Sequence, residues 1–251
     1  MADPIELHDF LKWTPPKLVP VISDGIMYAG SRVILFGRYK SLKSMLATQM
    51  CLAISRGEDW LGFKTTKLKV LYLQLEVPPP QLHNRITKMT QNRNGTKEPN
   101  FWLWYEPSLK LDTIDGVTKL TQRLAELRPD VLVIDPVYKV VTDTNNVTVF
   151  IDQIDELKEK FGLSILMVHH PRKRSNDPKK GEKEFGDADD MLGSSIFLDW
   201  ADSVIRVERE SHTEIKVSFD VARHAESELV PRHFEFDVNT LGFTQSSGRK
   251  I

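Results

Sequence analysis

Gly37, Lys43 and Ser44 stand in the stretch GRYKSLKS, at the spacing of a loop that cradles phosphate groups. The usual pattern is a glycine, four residues, then Gly-Lys-Ser/Thr, placed between a strand and a helix. Successive backbone N–H groups feeding a helix N-terminus favour anions, and the lysine adds a full positive charge. Lys43 is expected to reach the β- and γ-phosphates of a nucleotide, and the Ser44 hydroxyl to ligate Mg²⁺. The candidate nucleotide-binding residues are Gly37, Arg38, Tyr39, Lys40, Ser41, Leu42, Lys43, Ser44 and Met45. Leu42 stands where the second glycine belongs. Glycine suits that position because the backbone approaches the phosphates in a conformation that penalises a side chain. A leucine is accommodated if its side chain turns toward the core. Arg38 and Lys40 read either as compensating positive charge or as a solvated loop surface.

Two carboxylates complete the pattern. Asp135 ends the apolar run VLVID, where it could hold the water shell of a Mg²⁺ ion. Glu76 closes VLYLQLE, where a carboxylate near the phosphates can orient and polarise an attacking water. Alone, Glu76 reads as an exposed residue entering the VPPP turn. His169 and His170 end the run SILMVHH. Adjacent residues of a strand face opposite ways, so the pair suits one metal ion poorly. Either one of them senses the γ-phosphate, or one is buried and the other lies on the surface. Beyond them, PRKRSNDPKKGEKEFGDADD (171–190) is nearly devoid of large apolar residues and reads as a long mobile loop. Arg172, Lys173, Arg174, Lys179, Lys180 and Lys183 crowd its first part and are candidate contacts to a nucleic-acid backbone. A solvated loop with self-neutralising charge is the alternative.

The elements that must position these residues follow from hydrophobic patterning. Near-continuous apolar runs at 32–36, 70–75, 131–135 and 164–169 suit parallel strands covered on both faces. Helical patterns are expected at 43–56, 80–92, 113–127 and 147–161, with Asp112 as the N-cap of the third and Pro129 as its stop. Strand alternating with helix predicts an α/β fold with a mostly parallel sheet. SVIRVE, EIKVSFD and HFEFD predict antiparallel strands added at the C-terminal end. Residues 1–30, rich in Pro and Gly and without periodicity, are expected to form an arm that packs on the core domain, 31–251, or on a neighbouring subunit.

Lys+Arg 34 against Asp+Glu 35 leaves a net charge of −1, so nucleic-acid binding must come from a local patch. The sole cysteine, Cys51, excludes an internal disulfide and a Cys-based zinc site, and points to a reducing compartment. The acidic N-terminus lacks the features of a signal peptide, and no apolar run is long enough for a membrane span. A cytoplasmic protein is expected.

In order and spacing, GRYKSLKS, VLYLQLEVPPPQLHNRI, VLVIDP, ILMVHHPRK and GSSIFLDWADSVIRVE together resemble the RecA-like P-loop ATPases, most closely the RepA-like hexameric replicative helicases. The resemblance spans roughly residues 13–225. It implies a core parallel sheet with helices on both faces, and ATP and Mg²⁺ bound between subunits of a homo-oligomeric, hexameric ring. Single-stranded DNA would lie in its channel, with a single-strand-binding protein or a primase as further candidate partners. Carried over, Lys43, Ser44 and Asp135 serve the phosphates and metal, Glu76 is the catalytic glutamate, and His170 the γ-phosphate sensor. The loop after His170 would face DNA. FDVARHAES resembles the segment carrying an arginine finger, which makes Arg223 the candidate, although Val221 replaces the lysine often found two residues earlier. A RecA-type recombination or annealing protein, and a weakly hydrolysing nucleotide-gated scaffold, are the alternatives.

Overall fold

The computed structural model describes residues 4–91, 100–143, 147–170 and 194–246. Its centre is a nine-stranded sheet. The strands, in chain order, are β3 (Arg32–Phe36), β4 (Val70–Gln74), β5 (Phe101–Tyr105), β6 (Val131–Asp135), β7 (Ser164–His169), β8 (Ser203–Arg209), β9 (Glu214–Ala222), β10 (Arg232–Phe236) and β11 (Phe243–Gln245). Across the sheet they lie in the order β11-β10-β9-β8-β3-β7-β6-β4-β5. From β5 to β8 every pairing is parallel, and from β8 to β11 every pairing is antiparallel. The expected architecture is present.

The unbroken apolar runs have a simple cause. Successive side chains of a strand alternate between faces, and here both faces are covered. Val33 and Leu35 of β3 join one core cluster, while Ile34 and Phe36 join the other. Val133 and Ile134, Val168 and Met167, and Tyr72 and Leu73 divide in the same way. The first face is covered by α2 (Lys43–Arg56), through Leu46, Met50 and Ile54. The second is covered by α4 (Ile114–Leu127), α5 (Thr148–Phe161) and α6 (Ser194–Trp200), through residues such as Leu120, Leu124, Phe150, Ile154 and Phe197. Helix α3 (Pro79–Thr90) follows β4 and begins on prolines, whose fixed φ suits a first turn.

Several details differ from the sequence expectation. The N-cap of α4 is Thr113, whose hydroxyl accepts from the Gly116 amide at 3.3 Å. Asp112 instead accepts from the Thr142 amide and hydroxyl at 2.6 and 2.5 Å, tying the start of α4 to the chain after β6. Ile114, expected on the apolar face, is 89% exposed, whereas Gly116 of the same first turn is buried. Arg128, in the left-handed region at φ 46°, ends the helix one residue before Pro129. Strand β5 was not among the expected strands; its sequence FWLWY pairs only with β4 at the sheet edge.

Near the N-terminus, α1 (Leu7–Lys12) and the flanking residues 4–19 are exposed. Strands β1 (Pro20–Ile22) and β2 (Met27–Tyr28) form a small antiparallel pair. Val21, Ile22, Ile26 and Met27 are buried in the cluster beneath α2. No described helix is long and apolar enough to cross a membrane.

Candidate active site

Parallel strands release their following residues at one edge of a sheet, and the chemistry-bearing residues gather there. β3 leads into the loop 37–42, β7 into His170, and β4 into Glu76, while β6 ends at Asp135. These four strands are neighbours in the sheet. A cavity of about 490 Å³ opens at this edge, lined by Lys40 to Met45, Glu76 and His170, with Gln81 and Arg85 reaching in from α3.

The loop is shaped by close packing and by backbone conformations that disfavour a side chain. A Cβ on Gly37 would lie 2.2 Å from the Val207 carbonyl oxygen of β8, so only glycine fits. Lys40 and Leu42 adopt left-handed conformations at φ 62° and 67°. Such a conformation costs a non-glycine residue about 1–2 kcal/mol. Leu42 recovers part of this by packing its partly buried side chain against the core beneath α2. Its carbonyl accepts the first intrahelical bond of α2, from Leu46 N at 2.9 Å. Arg209 braces the loop from the end of β8, donating to the Lys40 carbonyl at 3.1 Å.

Lys43 is 3% exposed, and its Nζ folds back to the Arg38 carbonyl at 2.5 Å and the Ser41 hydroxyl at 3.3 Å. Burial lowers its pKa to about 8, opposed by the nearby carboxylates of Asp135 and Glu76. Asp135 is fully buried, and burial raises its pKa against the hydrogen bonds that favour its charge. Its Oδ1 accepts from Ser44 Oγ at 3.1 Å; its Oδ2 accepts from Tyr72 OH at 2.5 Å and, more weakly, from Gln74 Nε2 at 3.4 Å. Burial, followed by the Asp135 charge, raises the Tyr72 phenol well above its ordinary range, so it stays a donor.

Glu76 is exposed at the cavity mouth, and its Oε1 accepts from Tyr138 OH at 3.2 Å. Burial and the Glu76 carboxylate raise the Tyr138 pKa to about 12. The two histidines part as strand geometry demands. His169 is 1% exposed, with Nδ1 2.7 Å from the His170 carbonyl and its ring edge-on to Phe197. His170 lines the cavity, stacked on Tyr39 with ring centroids 4.8 Å apart and edge-on to Tyr138 at 5.7 Å. Its Nδ1 is buried and has no hydrogen-bond partner among the described residues. Burial, then the positive charge of Lys43, lowers its pKa to about 3, so the ring is neutral near pH 7.

A family model described as AAA domain matches residues 2–176. The chain belongs to that family. No curated protein matches this AAA domain in sequence. Among solved structures it is similar to one described as an ATPase domain, with TM-score 0.62 and 12% identity over 87% of this chain and 86% of that one. It is also similar to the KaiC-like protein PH0186 from Pyrococcus horikoshii, with TM-score 0.62 and 12% identity over 90% and 93% of the two chains. The RadB recombinase aligns with TM-score 0.58 and 14% identity over 87% and 92%. At these identities the likeness speaks for the fold. The AAA domain thus has a RecA-like P-loop fold.

Not every expected site residue joins the cavity of this AAA domain. Gly37, Arg38 and Tyr39 shape the loop without lining the cavity. Arg223 lies at the opposite edge of the sheet, just beyond the Ser203–Ala222 pair that begins β8 and ends β9. Its Nη2 donates to the carbonyls of Leu198 and Asp199 at the end of α6, at 3.2 and 3.0 Å. The length of β8, roughly 20 Å at about 3.3 Å per residue, separates it from its own loop. Arg172, Lys173, Arg174, Lys179, Lys180 and Lys183 lie outside the described residues. Sequence reasoning missed Tyr72, Gln74, Arg85 and Tyr138, and the brace that Arg209 gives the loop. For Gln74 there was a signal: it is the one polar residue in the apolar run VLYLQL.

Proposed function

We propose that the chain is a Mg²⁺-dependent ATPase that acts on single-stranded DNA as an oligomeric ring, a replicative helicase of the RepA-like type. The observation that carries this reading is the split between the two sheet edges. Loop, Asp135, Glu76 and His170 share one edge, while Arg223 sits on the other, beyond reach of its own site. A head-to-tail ring would bring the two edges together.

The residues fit a nucleotide and its metal. The Ser44 hydroxyl and Asp135 carboxylate are hard oxygen donors, 3.1 Å apart at the start of α2, and would hold Mg²⁺ and its water shell. The ion would neutralise charge on the β- and γ-phosphates. Lys43 would exchange the Arg38 carbonyl for phosphate oxygens, and the arriving anion would restore its full charge. His170, neutral and lining the cavity, would serve as the γ-phosphate sensor through a ring N–H. Glu76 orients the attacking water, and Arg223 of a neighbouring subunit stabilises charge on the transferring phosphoryl group. The basic segment 172–183 would contact the DNA backbone.

The likeness to the RadB recombinase favours a second reading, a recombination or annealing ATPase that coats DNA without unwinding it. Phosphate release with and without single-stranded DNA, combined with fork unwinding on the same preparation, separates the two. Glu76→Gln and Arg223→Ala homo-oligomers should each be nearly inactive, and mixing them should restore part of the ATPase. If subunits exchange and no activity returns, the shared site is refuted.

A further inference from the structure

Strand β4 ends at Gln74, and the next two residues carry the chain past Glu76 into α3. Leu75 still donates its amide to the Asp135 carbonyl, at 3.0 Å. The amides of Glu76 and Val77 have left the sheet ladder. Both donate to one side-chain oxygen, Gln74 Oε1, at 2.8 and 3.0 Å. The other end of the same amide points at Asp135, with Nε2 3.4 Å from Oδ2. Gln74 is 1% exposed. A buried side chain with a donor and an acceptor must have both matched, and among the described residues this one finds its partners at Asp135 and at the amides of Glu76 and Val77. Tyr72, two residues earlier on the same face of β4, holds the same Asp135 oxygen.

We infer that Gln74 is the positioning residue of this site, setting where Glu76 leaves the sheet and keeping it in register with Asp135. The inference rests on the proposed role of Glu76 in orienting water. The Glu76 carboxylate is exposed, so among the described residues little besides its backbone and the Tyr138 hydroxyl holds it in place. An exposed carboxylate acts on an attacking water only if its main chain is fixed. Two amides sharing one buried acceptor supply that fixity. Gln74 touches neither the phosphates nor the water, so its loss falls on turnover and spares nucleotide affinity.

Gln74→Met keeps the volume and removes both polar ends. Its kcat should fall by on the order of 10²-fold, the usual consequence of displacing a reacting group by about 1 Å. Affinity for a fluorescent ATP analogue should stay within about twofold by the same reasoning. Gln74→Glu retains an oxygen for both amides and should keep more turnover than Gln74→Met. The decisive measurement is a cycle with Glu76→Gln, read by single-turnover hydrolysis of radiolabelled ATP. If Gln74 acts through Glu76, adding Gln74→Met to Glu76→Gln costs nothing further. Losses that multiply, or wild-type turnover in Gln74→Met beside an inactive Glu76→Gln, overturn the inference. Wild-type turnover in Glu76→Gln removes the reading of Glu76 itself, a separate result. Should Gln74→Met fail to fold by circular dichroism, Gln74→Asn, too short to reach both partners, carries the same expectations.

Discussion

In nucleotide-free protein the cost of burying the charge of the phosphate lysine can be measured directly, by replacing Lys43 with methionine. Burial lowers the Lys43 pKa from 10.5 to about 8. At about 1.4 kcal/mol per unit, keeping this ammonium charged costs roughly 3 kcal/mol of stability. The sign follows from proton counting. Below pH 8 both folded and unfolded chains hold the proton, and the full cost is present. Between pH 8 and 10.5 the unfolded chain holds a proton that the folded chain has lost, so stability rises with pH. Above 10.5 the cost is gone. Methionine keeps the apolar stem and removes the charge, but forfeits the bonds to the Arg38 carbonyl and Ser41 hydroxyl, worth about 1 kcal/mol each. Lys43→Met should therefore be more stable than the parent chain by about 1 kcal/mol at pH 7, and less stable by about 2 kcal/mol near pH 10.5. Urea unfolding of nucleotide-stripped protein, followed by tryptophan fluorescence across this range, reads both arms. A stability difference that does not change with pH would refute the reasoning. The same variant should lose binding of a fluorescent ATP analogue.

Gly37→Ala should keep the fold by circular dichroism and lose at least about tenfold in affinity for the fluorescent analogue, because its Cβ meets the Val207 carbonyl at 2.2 Å and displaces the loop. Unchanged affinity would mean that the loop tolerates the displacement. Leu42→Gly relieves about 1 kcal/mol of left-handed strain but gives up core packing and stiffens the unfolded chain less. Stability by urea unfolding should stay within about 1 kcal/mol of the parent chain, and nucleotide binding should hold or improve. A large loss of binding in Leu42→Gly would show that the leucine side chain itself shapes the site.

What the linear sequence determines here is whatever short-range chemistry encodes. Continuous apolar runs mark β3, β4, β6 and β7, because a strand covered on both faces has no polar side to show. Periodic stripes mark α4 and α5, and the GRYKSLKS spacing marks the loop before α2. The edge strand β5 escaped notice because an aromatic run carries no period. The N-cap of α4 moved from Asp112 to Thr113 because Thr142, thirty residues away in sequence, claims the aspartate. Sequence also raised the question of Leu42 but could not answer it. Only the folded chain shows the left-handed backbone and the core surface on which the side chain rests.

The site itself divides along the same line. Lys43, Ser44 and Asp135 announce themselves because strand ends and loop spacing are local features, whereas Glu76 taken alone reads as an exposed residue at a turn. Tyr72, Gln74, Tyr138, Arg85 and Arg209 do not announce themselves, because their roles exist only across strands that are distant in sequence. The order β3-β7-β6-β4 sets Tyr72 and Gln74 beside Asp135, and β8 carries Arg209 to the loop. The same topology sends Arg223 to the far edge, since β9 runs antiparallel to β8 and returns the chain to where that strand began. Chemical identity is written residue by residue. Which groups meet, and which are held a strand's length apart, is decided by long-range pairing, and that pairing has no signature in any one stretch of the chain.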